Sequence, residues 1–112
     1  MNDELMEQID EWHKAEKHQE IIDALEQIPE AERDFETTGF LARAYNNIEE
    51  YAKAADLLES VREEGAEDER WNFRMGYAQY FLCNYREALS YFSKAKELEP
   101  ENGDALRFIR QC

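Results

Sequence analysis

Basic residues, turn residues and long apolar runs are all scarce in this chain of 112 residues. Thirteen lysines and arginines stand against 27 aspartates and glutamates, which leaves a net charge of −14. A surface this negative repels nucleic-acid phosphates and anionic lipid headgroups, so we expect neither nucleic acid nor membrane as a partner. Only four glycines and two prolines are present, too few for the many turns of an all-β protein of this size.

Segments that would direct the chain to a membrane are also missing. The N-terminus has neither the basic start nor the apolar stretch of a secretory signal. The longest run without a charged residue, 75–85, has eleven residues, several of them polar, and is too short to span a bilayer. Cys83 and Cys112 form no metal or redox motif, which is typical of free thiols in a reducing compartment. We therefore expect a cytoplasmic protein.

What the chain does contain is a repeat with a period of 34 residues. Two adjacent segments, 35–68 and 69–102, carry residues of the same type at this spacing. The matched pairs are Ala44 with Ala78, Tyr51 with Tyr85, and Ala54 with Ala88. Within each segment, apolar residues recur every three or four positions with one interruption, which predicts two consecutive helices. Repetition at this period is typical of a helical solenoid.

Glycine and proline mark the ends and crossings of these predicted helices. Pro100 ends the last stripe of the second segment, because proline cannot continue a helix. Gly65 lies where a left-handed C-cap is expected in the first segment. Gly76 lies inside a predicted helix, where glycine costs about 1 kcal/mol relative to alanine. We therefore expect Gly76 to be needed for a close helix crossing.

This pattern resembles the tetratricopeptide repeat, a helix–turn–helix unit of 34 residues. In segment 69–102 the positions at which the family prefers apolar, small, bulky and proline residues match closely, and only Gln79 departs from them. The matching residues are Met75, Gly76, Ala88, Phe92, Ala95 and Pro100. Segment 35–68 matches in the same phase, through Leu41, Ala42, Tyr45, Ala54, Leu58 and Val61. The resemblance implies an all-α, right-handed superhelix and a protein that is not an enzyme.

Residues 1–112 are therefore predicted to form one domain of three repeats. Segment 1–34 is a degenerate first repeat that matches with a one-residue deletion, and segments 35–68 and 69–102 are the second and third repeats. Residues 103–112 begin a further helix, which makes seven in all.

The residues of this last helix leave two interpretations open. Leu106 and Ile109 take the inward positions of the repeat, which fits a capping helix. Phe108 points away from that stripe, which favours the cut end of a longer array.

No motif in the chain predicts catalysis, a cofactor or a metal site. His13 and His18 lie five residues apart, about 500° around a helix, so we expect them on different faces. The acidic run 63–69 lacks the alternating ligands of a calcium loop and is interpreted as a solvated turn. The serines have no histidine within a shared motif.

The candidate site is a groove rather than a catalytic centre. Residues 71–92 hold eight of the fourteen aromatic side chains. In the repeat family, side chains of the first helices line a concave face, and the resemblance implies which residues lie there in this chain. These residues are Arg43, Asn46, Asn47, Arg70, Phe73, Tyr77 and Tyr80. The alternative for Phe73 and Phe81 is that they pack between repeats.

The residues of this face predict a protein-interaction module. Two cations, Arg43 and Arg70, lie beside two phenols, Tyr77 and Tyr80, which suits a peptide with a carboxylate and an apolar anchor. Replacing either tyrosine with alanine is then expected to weaken partner binding without changing stability.

Three alternatives accompany this prediction. Arg70 and Arg74 match the carboxylate clamp of chaperone-binding members of the family, but Met6, Asp10 and Phe40 do not, so that clamp is not predicted. The domain could instead be a regulatory or self-assembly arm of a larger protein whose activity lies beyond Cys112. Homo-oligomers are also compatible with the sequence.

Overall fold

The computed structural model describes residues 2–112, and Met1 of the first predicted repeat lies outside the described residues. No strand is found in that range, which confirms the all-α prediction. The helices are α1 Asp3–Lys14, α2 His18–Glu26, α3 Phe35–Asn47, α4 Tyr51–Glu59, α5 Arg62–Gly65, α6 Glu69–Phe81, α7 Tyr85–Leu98 and α8 Gly103–Gln111. A 3₁₀ turn, Glu30–Glu32, connects α2 to α3. None of the described helices is long and apolar enough to cross a bilayer.

One helix more is found between residues 2 and 112 than the seven predicted, because the second helix of segment 35–68 is broken. Helix α4 ends at Glu59, and α5 begins at Arg62 after Val61 has left helical geometry. The Ser60 hydroxyl donates a hydrogen bond to the Leu57 carbonyl at 2.6 Å. Such a bond competes with the backbone ladder and favours the end of a helix.

The first helix of each predicted repeat, and α8, starts at an Asx cap. The side-chain oxygens of Asn2, Asp34, Asp68 and Asn102 accept the backbone N–H three residues later, at 2.7 to 2.9 Å. These bonds satisfy one of the free N–H groups at each helix start. The last three caps lie 34 residues apart, which is the period of the sequence repeat. The repeat boundaries themselves stay a prediction.

Left-handed residues end three of the helices, but none of them is a glycine. Glu16, Glu49 and Cys83 have φ angles of 59°, 67° and 67° in the turns after α1, α3 and α6. No glycine of the described residues has a positive φ, so the expected left-handed cap at Gly65 is wrong. Position 65 requires glycine for a different reason, because a Cβ there would lie 2.3 Å from the Trp71 indole.

The core consists of two clusters along the stacked hairpins, and the partly buried Tyr45 and Leu57 pack against both. One cluster joins α1, α2 and α3 through Ile9, Ile21, Ile22, Leu25, Leu41 and Ala44. A second joins α3, α4 and α6 through Ala42, Ala54, Leu58, Trp71, Met75 and Ala78. At Gly76 a Cβ would lie 2.9 Å from the buried Phe92 ring, so the expected close crossing of α6 and α7 is confirmed.

Helix α8 packs on the hairpin before it through a face that the sequence pattern did not predict. Ala105 is its buried residue, and Leu106 and Ile109 are only partly buried. The Phe108 ring stacks on Phe92, with centroids 4.8 Å apart. The sequence places Phe108 away from the Leu106/Ile109 stripe and takes this as a sign of a longer array. In the structure its ring instead packs on α7, because the face of α8 that carries Ala105 and Phe108 meets that helix.

Candidate functional site

The first helices of the hairpins line a groove of about 590 Å³, into which most of the predicted site residues project. Six of the seven line it: Arg43, Asn46, Asn47, Arg70, Phe73 and Tyr77. Helix α1 adds His13 to the wall. The turn before α8 closes one end, where Asn102 donates a hydrogen bond to the Glu69 carboxylate at 3.0 Å.

Tyr80, the seventh predicted residue, does not line this groove. Its hydroxyl donates a hydrogen bond to Gln111 on α8 at 3.0 Å, and its ring lies 5.3 Å from that of Phe108. Helix α8 therefore covers the side of α6 on which Tyr80 lies. Tyr80 packs α8 against α6 instead of facing a partner.

Phe73 and Tyr77 belong to the groove and to the packing of α8 at the same time. The Phe73 ring lies 5.5 Å from Phe92 on α7 and 6.0 Å from Phe108 on α8, so this side chain packs between neighbouring helices. Tyr77 lies 5.7 Å from Phe108, and burial raises the pKa of its hydroxyl. These two rings form a fixed apolar wall beside the polar part of the groove.

Asn46 and Asn47 differ in their roles although they are neighbours. Asn46 is buried, and its amide donates a hydrogen bond to the Arg74 carbonyl at 3.2 Å, which ties α3 to α6. Its Oδ1 atom is buried and has no hydrogen-bond partner among the described residues. Asn47 is exposed at the rim. Asn46 therefore positions the two walls, and Asn47 is available to a ligand.

Three arginines give the groove its charge. Arg43 and Arg74 are partly buried, and Arg70 is exposed. Burial, followed by the charges of Arg43 and Arg70, lowers the pKa of Arg74 to about 10. Burial is also the main cause of the lowered pKa of Arg43. The three guanidinium groups make one part of the groove cationic within an acidic molecule, and Glu69, Glu101 and Asp104 line the remainder with the polar and aromatic side chains.

The predicted set of site residues leaves out Arg74, Phe40 and His13, although the phase of the repeat places His13 on the concave face. Arg74 follows Arg70 by four residues and so shares its helix face, a signal that the sequence does contain. Phe40 departs from the chaperone-type clamp, and in the structure both Arg43 and Arg74 lie over its ring. Phe40 and Arg74 lie on α3 and α6, the two helices on either side of the groove, whereas His13 lies on α1.

The two histidines are not separated as expected. His13 ends α1 and His18 begins α2, and the turn between them brings the ring centroids to 5.8 Å. A single continuous helix was assumed in the prediction, and the break at residues 15–17 is why it is wrong. Across residues 2–112, no group of three or more His, Cys, Asp or Glu side chains is arranged to hold a metal ion.

No protein-family model matches the chain, and no curated protein sequence matches it significantly. Solved structures do resemble it. The first TPR domain of Spaghetti (RPAP3), bound to the HSP90 peptide SRMEEVD, is 24% identical with a TM-score of 0.84, over 96% of this chain and 86% of that one. The first TPR domain of human RPAP3 is 24% identical with a TM-score of 0.83, over 96% and 85%.

A third similar structure comes from a different kind of protein. The C-terminal TPR-containing domain of a Plasmodium falciparum putative FK506-binding protein is 22% identical with a TM-score of 0.79, over 97% of this chain and 83% of that one. At these identities the likeness concerns the fold. The chain has the fold of tetratricopeptide-repeat domains, an α-α superhelical solenoid.

Proposed function

We propose that the chain is a non-catalytic protein-interaction module that binds a peptide segment of a partner in the groove between α3 and α6. The observation that carries the proposal is the combination of three unpaired arginines with an aromatic wall. Cations on one side and the rings of Phe73 and Tyr77 on the other fit a peptide with an anionic group and an apolar side chain. Most of the surface of the molecule is acidic and would repel the same peptide.

The similar structures support this proposal at the level of the fold. The Spaghetti domain is bound to a peptide that contains two consecutive glutamates and ends in aspartate. A fold that holds an acidic peptide in one protein is a reasonable framework for the same class of ligand here. The proposal that this chain binds such a peptide rests on its groove residues and not on the shared fold.

The first prediction tests the groove with a pair of matched arginine variants. Fluorescence anisotropy with labelled SRMEEVD is compared with the analogue SRMQQVN, amidated at its C-terminus, which lacks all four carboxylates. We expect the acidic peptide to bind more tightly, and Arg70→Gln to weaken its binding about tenfold, since a charge-assisted hydrogen bond contributes about 1.5 kcal/mol or more. Arg86→Gln removes the same charge from an exposed position on α7, outside the groove, and is expected to change binding less than about twofold. Equal binding of both peptides, or equal effects of both variants, would contradict the proposal.

A further inference from the structure

Three guanidinium groups in the groove lack a counter-ion. Among the described residues, no carboxylate oxygen lies within ion-pairing distance of Arg43, Arg70 or Arg74. Lys94, by contrast, pairs with Glu67 at 3.0 Å. In a molecule with twice as many acidic as basic residues, three neighbouring unpaired arginines point to an anion supplied from outside.

Two residues of α3 hold two of these guanidinium groups together. The Cζ atom of Arg43 lies 4.9 Å from the centroid of the Phe40 ring, and that of Arg74 lies 5.7 Å from the same centroid. The Nη1 atom of Arg74 lies 2.6 Å from the place that a Cβ on Gly39 would take. Neither guanidinium group donates a hydrogen bond to another of the described residues, so both can donate to a ligand while they lie over one ring.

This arrangement is unfavourable in the absence of an anion. Burial and the nearby charges of Arg43 and Arg70 hold the pKa of Arg74 near 10, below its ordinary value. The Nε atom of Arg43 is buried and has no hydrogen-bond partner among the described residues. An anion between the arginines would remove the repulsion and accept the unused hydrogen bonds.

We propose that this arginine site, in the peptide groove on whose proposed function it rests, binds the phosphate of a phosphorylated side chain in the partner. A phosphomonoester carries a charge of about −1.5 to −2 at pH 7 and offers three oxygens, enough to bond three guanidinium groups. Arginine and phosphate pair through two parallel hydrogen bonds. A carboxylate brings one charge and two oxygens, and leaves part of the site unpaired.

Charge complementarity also indicates where that phosphate comes from. Nucleic acids and phospholipid surfaces are polyanions, and a net charge of −14 repels them outside the small cationic groove. Glu101 and Asp104 at the end of the groove add to this repulsion. A single phosphate on a peptide brings less negative charge and fits beside Arg43, Arg70 and Arg74, while an adjacent apolar residue fits beside Phe73 and Tyr77.

The test uses three labelled heptapeptides with amidated C-termini that differ only in a central phosphoserine, glutamate or serine, two residues from a leucine. We expect the phosphoserine peptide to bind about tenfold more tightly than the glutamate peptide at pH 7.5. Gly39→Ala displaces the Arg74 guanidinium while keeping its charge, and is expected to abolish this preference. Ser90→Ala is the control, because Ser90 is exposed on α7 and lies outside the groove. Thermal melts of both variants verify that they are folded.

The outcomes of these binding measurements show whether the phosphate site fails alone or together with the proposed peptide groove. If the glutamate peptide binds as well as the phosphoserine peptide, the phosphate site is overturned and the acidic-peptide groove stands. If neither binds, both proposals fail. An unchanged preference in Gly39→Ala would overturn the role of the arginine site. Competition by inorganic phosphate would support it, whereas binding to phosphatidylserine vesicles would assign the site to lipid and overturn the peptide as its source.

Discussion

Trp71 shows how a single residue sets the spacing between two hairpins. Its indole N–H donates a hydrogen bond to the Leu58 carbonyl at 2.8 Å, although the side chain is only 2% exposed. Gly65 lies against the ring, and the Arg62 guanidinium lies 5.2 Å from its centroid. Because packing contacts and a hydrogen bond both hold the Trp71 indole in place, the residues that contact it cannot become larger without a clash.

Replacing Gly65 with alanine is therefore expected to destabilise the fold. The added Cβ would overlap the indole, and overpacking of a rigid core costs about 1–3 kcal/mol, which outweighs the higher helix propensity of alanine. Urea titration of the two glycine variants measures this. Gly103→Ala is the control, with an expected change in the free energy of unfolding within about 1 kcal/mol. Equal stability of Gly65→Ala and the unmodified protein would mean that Trp71 is not held as described.

At the scale of secondary-structure elements, the α1–α2 hairpin joins a pair of histidines to the groove. The Nδ1 atoms of His13 and His18 are buried and have no hydrogen-bond partners among the described residues. Burial lowers the pKa of His13, and the charges of Arg43, His18 and Arg74 lower it further, whereas Asp10 raises it. Protonation of His13 is therefore less favourable in the folded protein than in the unfolded chain.

This difference predicts a loss of stability as the pH falls. Since the pKa of His13 is lower in the folded state, the unfolded chain takes up more protons below about pH 6.5, and the free energy of unfolding decreases from there downward. Urea titrations between pH 7.5 and 5.5, where most carboxylates stay ionised, measure the slope. His13→Gln is expected to reduce it. An identical slope in that variant would rule out His13 as the group responsible.

Helix α8 has two roles at this scale. Phe108 covers Phe73, Tyr77 and Tyr80, and the turn before the helix closes one end of the groove. Part of the aromatic face that the sequence assigns to a partner is thus occupied by the chain itself. The earlier expectation that Tyr80→Ala leaves stability unchanged does not fit this packing, because the substitution removes both a ring contact and the hydrogen bond to Gln111.

At the scale of the whole molecule, the net charge of −14 works against compaction. Like charges repel more strongly in the folded state, where they are closer together, and salt screens this repulsion. The ion pairs Lys14–Asp10 and Arg107–Asp104 are exposed, and pairs of this kind contribute about 0–1 kcal/mol each. Repulsion is therefore expected to outweigh them.

Thermal melts in sodium chloride test this balance. We expect the melting temperature to rise between 0.01 and 0.3 M salt and then to level off, since the Debye length falls from about 30 Å at 0.01 M to about 8 Å at 0.15 M. A rise that continues in proportion to concentration would indicate a general salting-out effect instead. A fall would mean that the ion pairs, and not the repulsion, dominate.

Features that depend on local spacing could be predicted from the amino-acid sequence. Small residues 34 apart, such as Ala54 and Ala88, predict the repeated hairpin, because they recur where helices must approach closely. Asp34, Asp68 and Asn102 mark the helix starts at the same period, a signal that is present in the sequence and that the prediction did not use. Six groove residues follow from the phase of the repeat together with the concave positions that the resemblance to the tetratricopeptide repeat implies.

Which side chains from different helices meet depends on the tertiary structure and could not be predicted from the sequence. Phe108 packs on Phe92 and against Tyr80, and Tyr80 does not line the groove. The guanidinium groups of Arg43 and Arg74 both lie over the Phe40 ring because α3 and α6 run side by side. His13 contacts His18 because a turn reverses the chain between them. Such contacts depend on distances between helices, which a repeat period does not contain. They determine the charge and shape of the groove.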